Sequence, residues 1–139
     1  MIVVDATALA AFLLREPQGD AVLEHMLAHD ALLAPGLLQY EIVSVIEQSR
    51  RHGRMSEDQA RRAREQCGTL PWVVENHAGR DRSASLSGIA GRHGLNAYSA
   101  AYLEVARHHG CPLLTLDAAL RAAAAKEGVQ VLPAANRRR

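Results

Sequence analysis

The sequence is poor in several things at once. Its 139 residues include two cysteines, one tryptophan, one phenylalanine and a single lysine. Cys67 and Cys111 cannot frame a disulfide scaffold, nor by themselves a four-ligand zinc site. They are expected to be reduced, packed thiols in a cytoplasmic protein. Long hydrophobic runs are also missing. The longest apolar-type stretch, Ala6 to Leu14, falls far short of the ~18 residues that would suggest a membrane span. Its length and place could mimic a signal-peptide core. However, no Lys or Arg precedes it and Asp5 abuts it, so no secretory signal is expected. Nor does charge of one sign dominate: sixteen basic and fifteen acidic side chains leave a net charge of +1. Without the terminal Arg137, Arg138 and Arg139 the balance turns slightly acidic. A global polyanion-binding charge is therefore absent, and any nucleic acid must be handled locally. Fifteen of the sixteen bases are Arg. Arg suits phosphate recognition, but a bias this uniform reads first as genome composition.

What is present is ordinary for a globular chain. Hydrophobic residues make up 48% and charged residues 22%, which excludes wholesale disorder. The length predicts one compact domain over 1–133, with 134–139 as a frayed Arg-rich tail. Met1 to Asp5 is a short β-branched run ending in a carboxylate, and Ala6 to Arg15 reads as a helix broken by Glu16-Pro17. Further helices are predicted over Gln18–Ala28, Pro35-Gly36 to His52, Ser56 through Arg64, Arg80–His93, Ala97–His109 and Ala118–Glu127. Ser56-Glu57-Asp58 is a strong helix start, and Gly94, Gly110 and Gly128 are stops. Strand candidates are Ala31–Ala34, Pro71–Glu75, Pro112–Leu116 and Val129–Leu132. Strands alternating with helices, without hairpin signals, predict a parallel α/β sheet covered by helices. The helices between Pro35 and Leu70 are expected to project from it as a pair.

Two strands end alike, as Val3-Val4-Asp5-Ala6 and Thr115-Leu116-Asp117-Ala118. A parallel sheet carries all its strands' carboxyl ends to one edge, where ligands bind as the strand order reverses. Asp5 and Asp117 can therefore converge although almost the whole chain lies between them. Each can equally serve as N-cap of the helix behind it, and the two roles are compatible. Glu41 lies with Leu37 and Val45 along one side of its helix, near the apolar face of Leu38 and Ile42. A carboxylate on that inward flank needs a partner, either an Arg or a metal ion. Ser99 shares a face with Tyr102, Leu103 and Ala106, while Glu104, Arg107 and His108 are expected to point away. Its simplest role is helix N-terminal chemistry. Three carboxylates with no matching Lys or Arg in the same segments make a hard-oxygen site suited to Mg²⁺ or Mn²⁺. Such a site can activate water and neutralise a phosphate, as phosphodiester hydrolysis requires.

These segments carry a family resemblance. Ile2 to Leu9, the Tyr40-Glu41 helix, Gly94 to Leu103 and Leu114 to Leu120 follow one another much as in PIN-domain proteins of the VapC toxin type. The combination spans nearly the full chain, although each piece alone is weak. The resemblance implies a three-layer α/β/α sandwich around a parallel sheet and a metal-dependent endoribonuclease. It also implies a VapB-like antitoxin partner and a homodimer. Asp5, Glu41 and Asp117 match the family's acids, and Thr7 matches a hydroxyl position beside the metal. Ser99 departs from the pattern, because the family places an aspartate there. The change removes one anionic ligand and one possible base, so weaker Mg²⁺ binding and reduced or absent cleavage are expected. Two rival readings follow: a catalytically silent PIN scaffold that only binds an antitoxin, and a small phosphatase or response-regulator-like domain. The latter typically needs a Lys near the strand edge, whereas the only Lys is Lys126, in the last helix.

Other features have plainer expectations. His108 and His109 diverge by 100° on a helix and are expected to be poor co-ligands. His77 is read as solvated. Trp72 and Tyr98 could stack a base but are expected to pack. The Arg61-Arg62-Ala63-Arg64 cluster is read as a solvated face neutralised by Glu57, Asp58 and Glu65. Phe12, Leu13, Leu14, Val22, Leu23 and Leu27 form either a groove for a partner helix or ordinary core.

Overall fold

The computed structural model of the chain describes residues 1–76 and 82–135. His77, Arg80 and the terminal arginine triplet, on which some expectations fell, lie outside the described residues. In chain order the elements are β1 (Ile2–Val4), α1 (Ala6–Leu13), α2 (Gly19–Leu27), β2 (Leu32–Pro35), α3 (Leu37–Arg51) and α4 (Glu57–Gly68). They continue with β3 (Trp72–Glu75), α5 (Ser83–His93), α6 (Ala97–His109), β4 (Leu113–Leu114), α7 (Ala118–Lys126) and β5 (Val131–Leu132). The five strands form one all-parallel sheet in the order β3-β2-β1-β4-β5.

Strand order decides the layers. From β1 the chain steps to β2 and then β3 in one direction. It then crosses back to β4 on the other side of β1 and moves on to β5. Right-handed crossovers put helices of the two directions on opposite faces. Contacts agree: α1 to α4 pack among themselves, while α6 packs on α5, α7 and strands β1, β2 and β4. The result is the expected three-layer sandwich, with the order reversing between β1 and β4. The helices α3 and α4 do pair, but they fold back against α1 rather than projecting free.

Burial follows from this arrangement. Strands covered on both faces read as continuous apolar runs. Every residue of β1 and β2 is buried, and Val3 stands in register with Leu33 on one side and Leu113 on the other. Each such side chain contributes about 1.5–3 kcal/mol when taken fully out of water. The edge strand β3 is different: Val73 and Val74 remain 48% and 60% exposed. On the helical side, Leu13 and Val22 join the core and Phe12, Leu14 and Leu23 pack against it. Only Leu27, 75% exposed, is left outside, so this segment is mainly ordinary core. Gly19 permits the tight α1–α2 turn, since a Cβ there would come within 2.6 Å of the Ala11 carbonyl.

Local signals explain most boundaries. Ser56 caps α4 through a capping box with Gln59, and Gly94 and Gly110 end α5 and α6 in the left-handed conformation. Strand β4 is shorter than expected. The Thr115 amide still donates to the Leu132 carbonyl at 3.0 Å, but its own carbonyl accepts from Arg121 Nη1 at 2.8 Å. The helix before Pro17 stops at Leu13, where Arg15 takes a φ of +54°.

One correction concerns α6. Glu104 does not point to solvent; it is 4% exposed and paired with Arg82. A one-sided helix would leave it outside, but α6 lies between the sheet and α5, so Ala100 to Ala106 are all buried.

Candidate active site

The site grows from two short junctions between a strand and the next helix, Asp5 alone after β1 and Thr115 to Asp117 after β4. Asp5 ends β1 and caps α1, its Oδ1 accepting from the Ala8 amide at 2.9 Å. Asp117 precedes α7 in the same way, Oδ1 accepting from the Leu120 amide at 2.7 Å. The cap reading of both acids is therefore correct, and it leaves their second oxygens for other work. Because β1 and β4 are neighbours at the reversal of strand order, the two acids come together. Asp117 is near enough that its charge acts on Asp5.

Asp5 is 3% exposed and lies in a net of hydroxyls. Thr7 Oγ1 donates to its Oδ1 at 2.7 Å, and Thr115 Oγ1 donates to its Oδ2 at 2.5 Å. The hydroxyls are themselves placed by the backbone. The Leu116 amide donates to Thr7 Oγ1 at 2.9 Å, and the Asp117 amide to Thr115 Oγ1 at 3.1 Å. Burial pushes the Asp5 carboxyl above its ordinary value, more than the hydrogen bonds from Thr115, Ala8 and Thr7 lower it, and the Asp117 charge adds to the rise. Thr115, fully buried, had no role in the sequence reading beyond its place in the strand. Its signal was a lone hydroxyl in an otherwise apolar strand, two residues before an acid.

Glu41 has no Arg partner among the described residues. Its Oε1 accepts from Tyr102 Oη at 2.5 Å, a tyrosine donor in place of an Arg. Burial, with the neighbouring Glu41 and Asp5 charges, holds the Tyr102 phenol protonated and a donor. Tyr102 thus ties α3 to α6 beside the acids. Ser99 lies one turn earlier on α6, half-buried. The N-terminal chemistry expected of its hydroxyl falls to Asn96 instead, whose Oδ1 accepts from the Ser99 amide at 2.8 Å. No hydrogen bond joins its hydroxyl to the three acids.

None of Asp5, Glu41 and Asp117 forms an ion pair with any described basic residue. Arg121, one turn after Asp117, gives its guanidinium to the carbonyls of Thr115 and Pro133 instead. A cleft of about 730 Å³ opens between α1 and α3, lined by Thr7, Ala10, Glu16, Tyr40, Glu41 and Leu116 among others. The donor set, oxygen only and without a cationic partner, fits a hard divalent ion. The three acids are looser than a closed cage, because their oxygens do not all lie within 4.8 Å of one another. Mg²⁺ tolerates that spacing, since it normally keeps several of its waters.

An all-parallel sheet of this order, with acids at its reversal point, defines a known class. The PIN domain family matches residues 2–126, and the chain belongs to that family. Within the family its similarity runs to VapC-type proteins. It is 29% identical over 116 residues to Ribonuclease VapC3 of Pyrobaculum aerophilum, covering 84% of this chain and 88% of the relative. A solved structure of another P. aerophilum protein, PAE2754, superposes with a TM-score of 0.69 at 25% identity, over 94% of this chain and 82% of that one. The fold is shared as well with Mycobacterium tuberculosis VapC20, described as a sarcin-ricin-loop-cleaving toxin (TM-score 0.65, 16% identity, 88% and 95% coverage).

The remaining expectations divide. Trp72 packs, donating Nε1–H to the Cys67 carbonyl at 2.9 Å. Tyr98 does not pack; it is 67% exposed. In the arginine cluster, Arg61 pairs with Asp58 and Glu65, as expected, while Arg64 turns to Glu47. Cys67 and Cys111 are free thiols, raised above their ordinary range by burial. His108 and His109, read as poor co-ligands, are exposed, and each places a ring nitrogen within 4.8 Å of a Glu75 oxygen. They are adjacent in the last turn of α6, and both rings reach the end of β3 from there.

Proposed function

We propose that this chain is a VapC-like toxin, a metal-dependent endoribonuclease that cleaves RNA phosphodiester bonds in the cytoplasm. The observation that best supports this reading is that Asp117 acts on Asp5 at the reversal of strand order, with Glu41 joined to their neighbourhood through Tyr102 and no described basic residue paired to any of the three. When bound, Mg²⁺, or Mn²⁺ in its place, would be held by these three acids and would supply positive charge for the phosphate and acidity for water. The chain's own residues prepare the pocket. Thr7 and Thr115 fix both oxygens of Asp5, and Tyr102 fixes one oxygen of Glu41, so the acids are oriented before substrate arrives. Ser99 contributes a hydroxyl that can hold water but adds no charge, so turnover is impaired relative to a chain with Asp at that place. A VapB-like antitoxin is the natural inhibitor of such an activity, and a homodimer the expected toxin form.

Ser99 itself favours a second reading, a catalytically silent PIN scaffold that keeps only the antitoxin-binding role. An RNA cleavage assay with Mg²⁺ and Mn²⁺ separates the two, using wild type, Ser99→Asp and Asp5→Ala. Cleavage by wild type that is lost in Asp5→Ala supports the enzyme. Cleavage by Ser99→Asp alone, with wild type inert, establishes the silent scaffold.

A further inference from the structure

Away from the acidic pocket, the end of edge strand β3 meets the last turn of α6. One Glu75 oxygen and a ring nitrogen from each of His108 and His109 all lie within 4.8 Å of one another. Glu75 Oε2 already contacts His109 Nε2, and the two imidazoles stand edge to face with centroids 5.0 Å apart. The charge around them is unbalanced. Arg82 bridges two carboxylates, contacting Glu75 Oε1 through Nη2 and both Glu104 oxygens through Nη1 at 3.1 Å. The Glu75 and Glu104 side chains are only 14% and 5% exposed. Among the described residues, one guanidinium thus serves two sequestered acids, and one negative charge is left facing the imidazole pair. Arg82 also fixes Glu75 Oε1, which turns Oε2 toward the histidines. Such outer partners typically orient metal ligands.

We propose that Glu75, His108 and His109 form a second metal site, one that takes a borderline divalent cation such as Zn²⁺. Two imidazoles and a carboxylate suit zinc, whereas the all-oxygen pocket suits magnesium. Tetrahedral donors on zinc bonds of ~2.0–2.1 Å stand about 3.4 Å apart. The cluster reaches that spacing when the two exposed imidazoles rotate inward, and a water completes the fourth position. The bound ion fastens the end of β3 to α6, the helix that carries Tyr102 and Ser99.

The test is calorimetric titration of the tag-free full chain with ZnCl₂ at neutral pH. It is repeated in an Asp5→Asn/Glu41→Gln background that disables the acidic pocket. We expect one equivalent to bind with micromolar or tighter affinity in both proteins. Binding weakens at least about tenfold in His108→Gln and His109→Gln. It is unchanged in His93→Gln, whose imidazole pairs with Glu127 elsewhere. Co²⁺ should give the intense visible band of a four-coordinate site in wild type; this readout stands even if a histidine variant fails to fold. Binding no tighter than millimolar, equal affinity in folded histidine variants, loss in the acidic-pocket background, or a weak six-coordinate Co²⁺ spectrum would each overturn the proposal.

Discussion

The molecule buries carboxylates in two places and treats them oppositely. In the pocket at the end of β1, Asp5 is surrounded by hydroxyls and an amide, with no cation. On the other helical layer, the buried Glu104 gives both of its oxygens to Arg82. Hydroxyl donors orient an acid without neutralising it, so the acid keeps its appetite for a cation. A guanidinium satisfies that appetite and turns the acid into structure. The difference separates a site that waits for something from a joint that is already closed.

Removing the clamp should have the largest effect. Arg82→Met leaves the buried Glu104 carboxylate without its cation, and breaking such a pair costs about 3–5 kcal/mol. Urea denaturation should show that loss, whereas a change below 1 kcal/mol would mean the joint is not closed as described. The equivalent insult to the pocket should do the reverse. Asp5→Asn can keep the cap and the Thr7 bond through its one oxygen, but loses the charge and the acceptor for Thr115 Oγ1. It is expected to unfold within about 1 kcal/mol of wild type while abolishing RNA cleavage.

The pH dependence sharpens the contrast. The folded-state pKa of Asp5 lies above its ordinary value of 3.8 because burial disfavours the anion. The native state therefore holds this proton more tightly than the unfolded chain does. Below pH 3.8 the group costs nothing, and its penalty grows as the pH rises through the folded-state value. With EDTA present, wild type should lose stability relative to Asp5→Asn as the pH climbs from about 4 toward neutrality, and Mg²⁺ should restore it. A constant gap between the two proteins across that range would show that Asp5 does not titrate as placed. The smallest effect is expected from Tyr102→Phe, which removes one hydrogen bond to Glu41 and should cost about 1 kcal/mol. Cleavage should fall but persist, so complete loss would promote Tyr102 from positioning Glu41 to acting on substrate.

The layered fold and the pairing of Asp5 with Asp117 were legible because they rest on local signals. Each acid follows an apolar strand and begins a helix, and parallel strands share an exit edge. The same reasoning missed whatever depended on a distant partner. The Tyr102–Glu41 bond spans 61 positions, and no periodicity in either helix announces it. Glu104 was misplaced because helical faces were assigned as though α6 had a wet side, whereas the topology sandwiches it. The meeting of Glu75 with His108 and His109 was hidden for a related reason. A rule about angles on an ideal helix says little about flexible rings on its final turn.

Asp5 is the single residue between β1 and α1, and Asp117 is the last of only three between β4 and α7. Their separation is therefore dictated by the spacing of adjacent strands, a dimension that insertions and deletions elsewhere leave untouched. The opposite rim of the sheet, where helices return to strands, is free to lengthen or diversify. A chain built this way can change what it recognises while its chemistry stays in place.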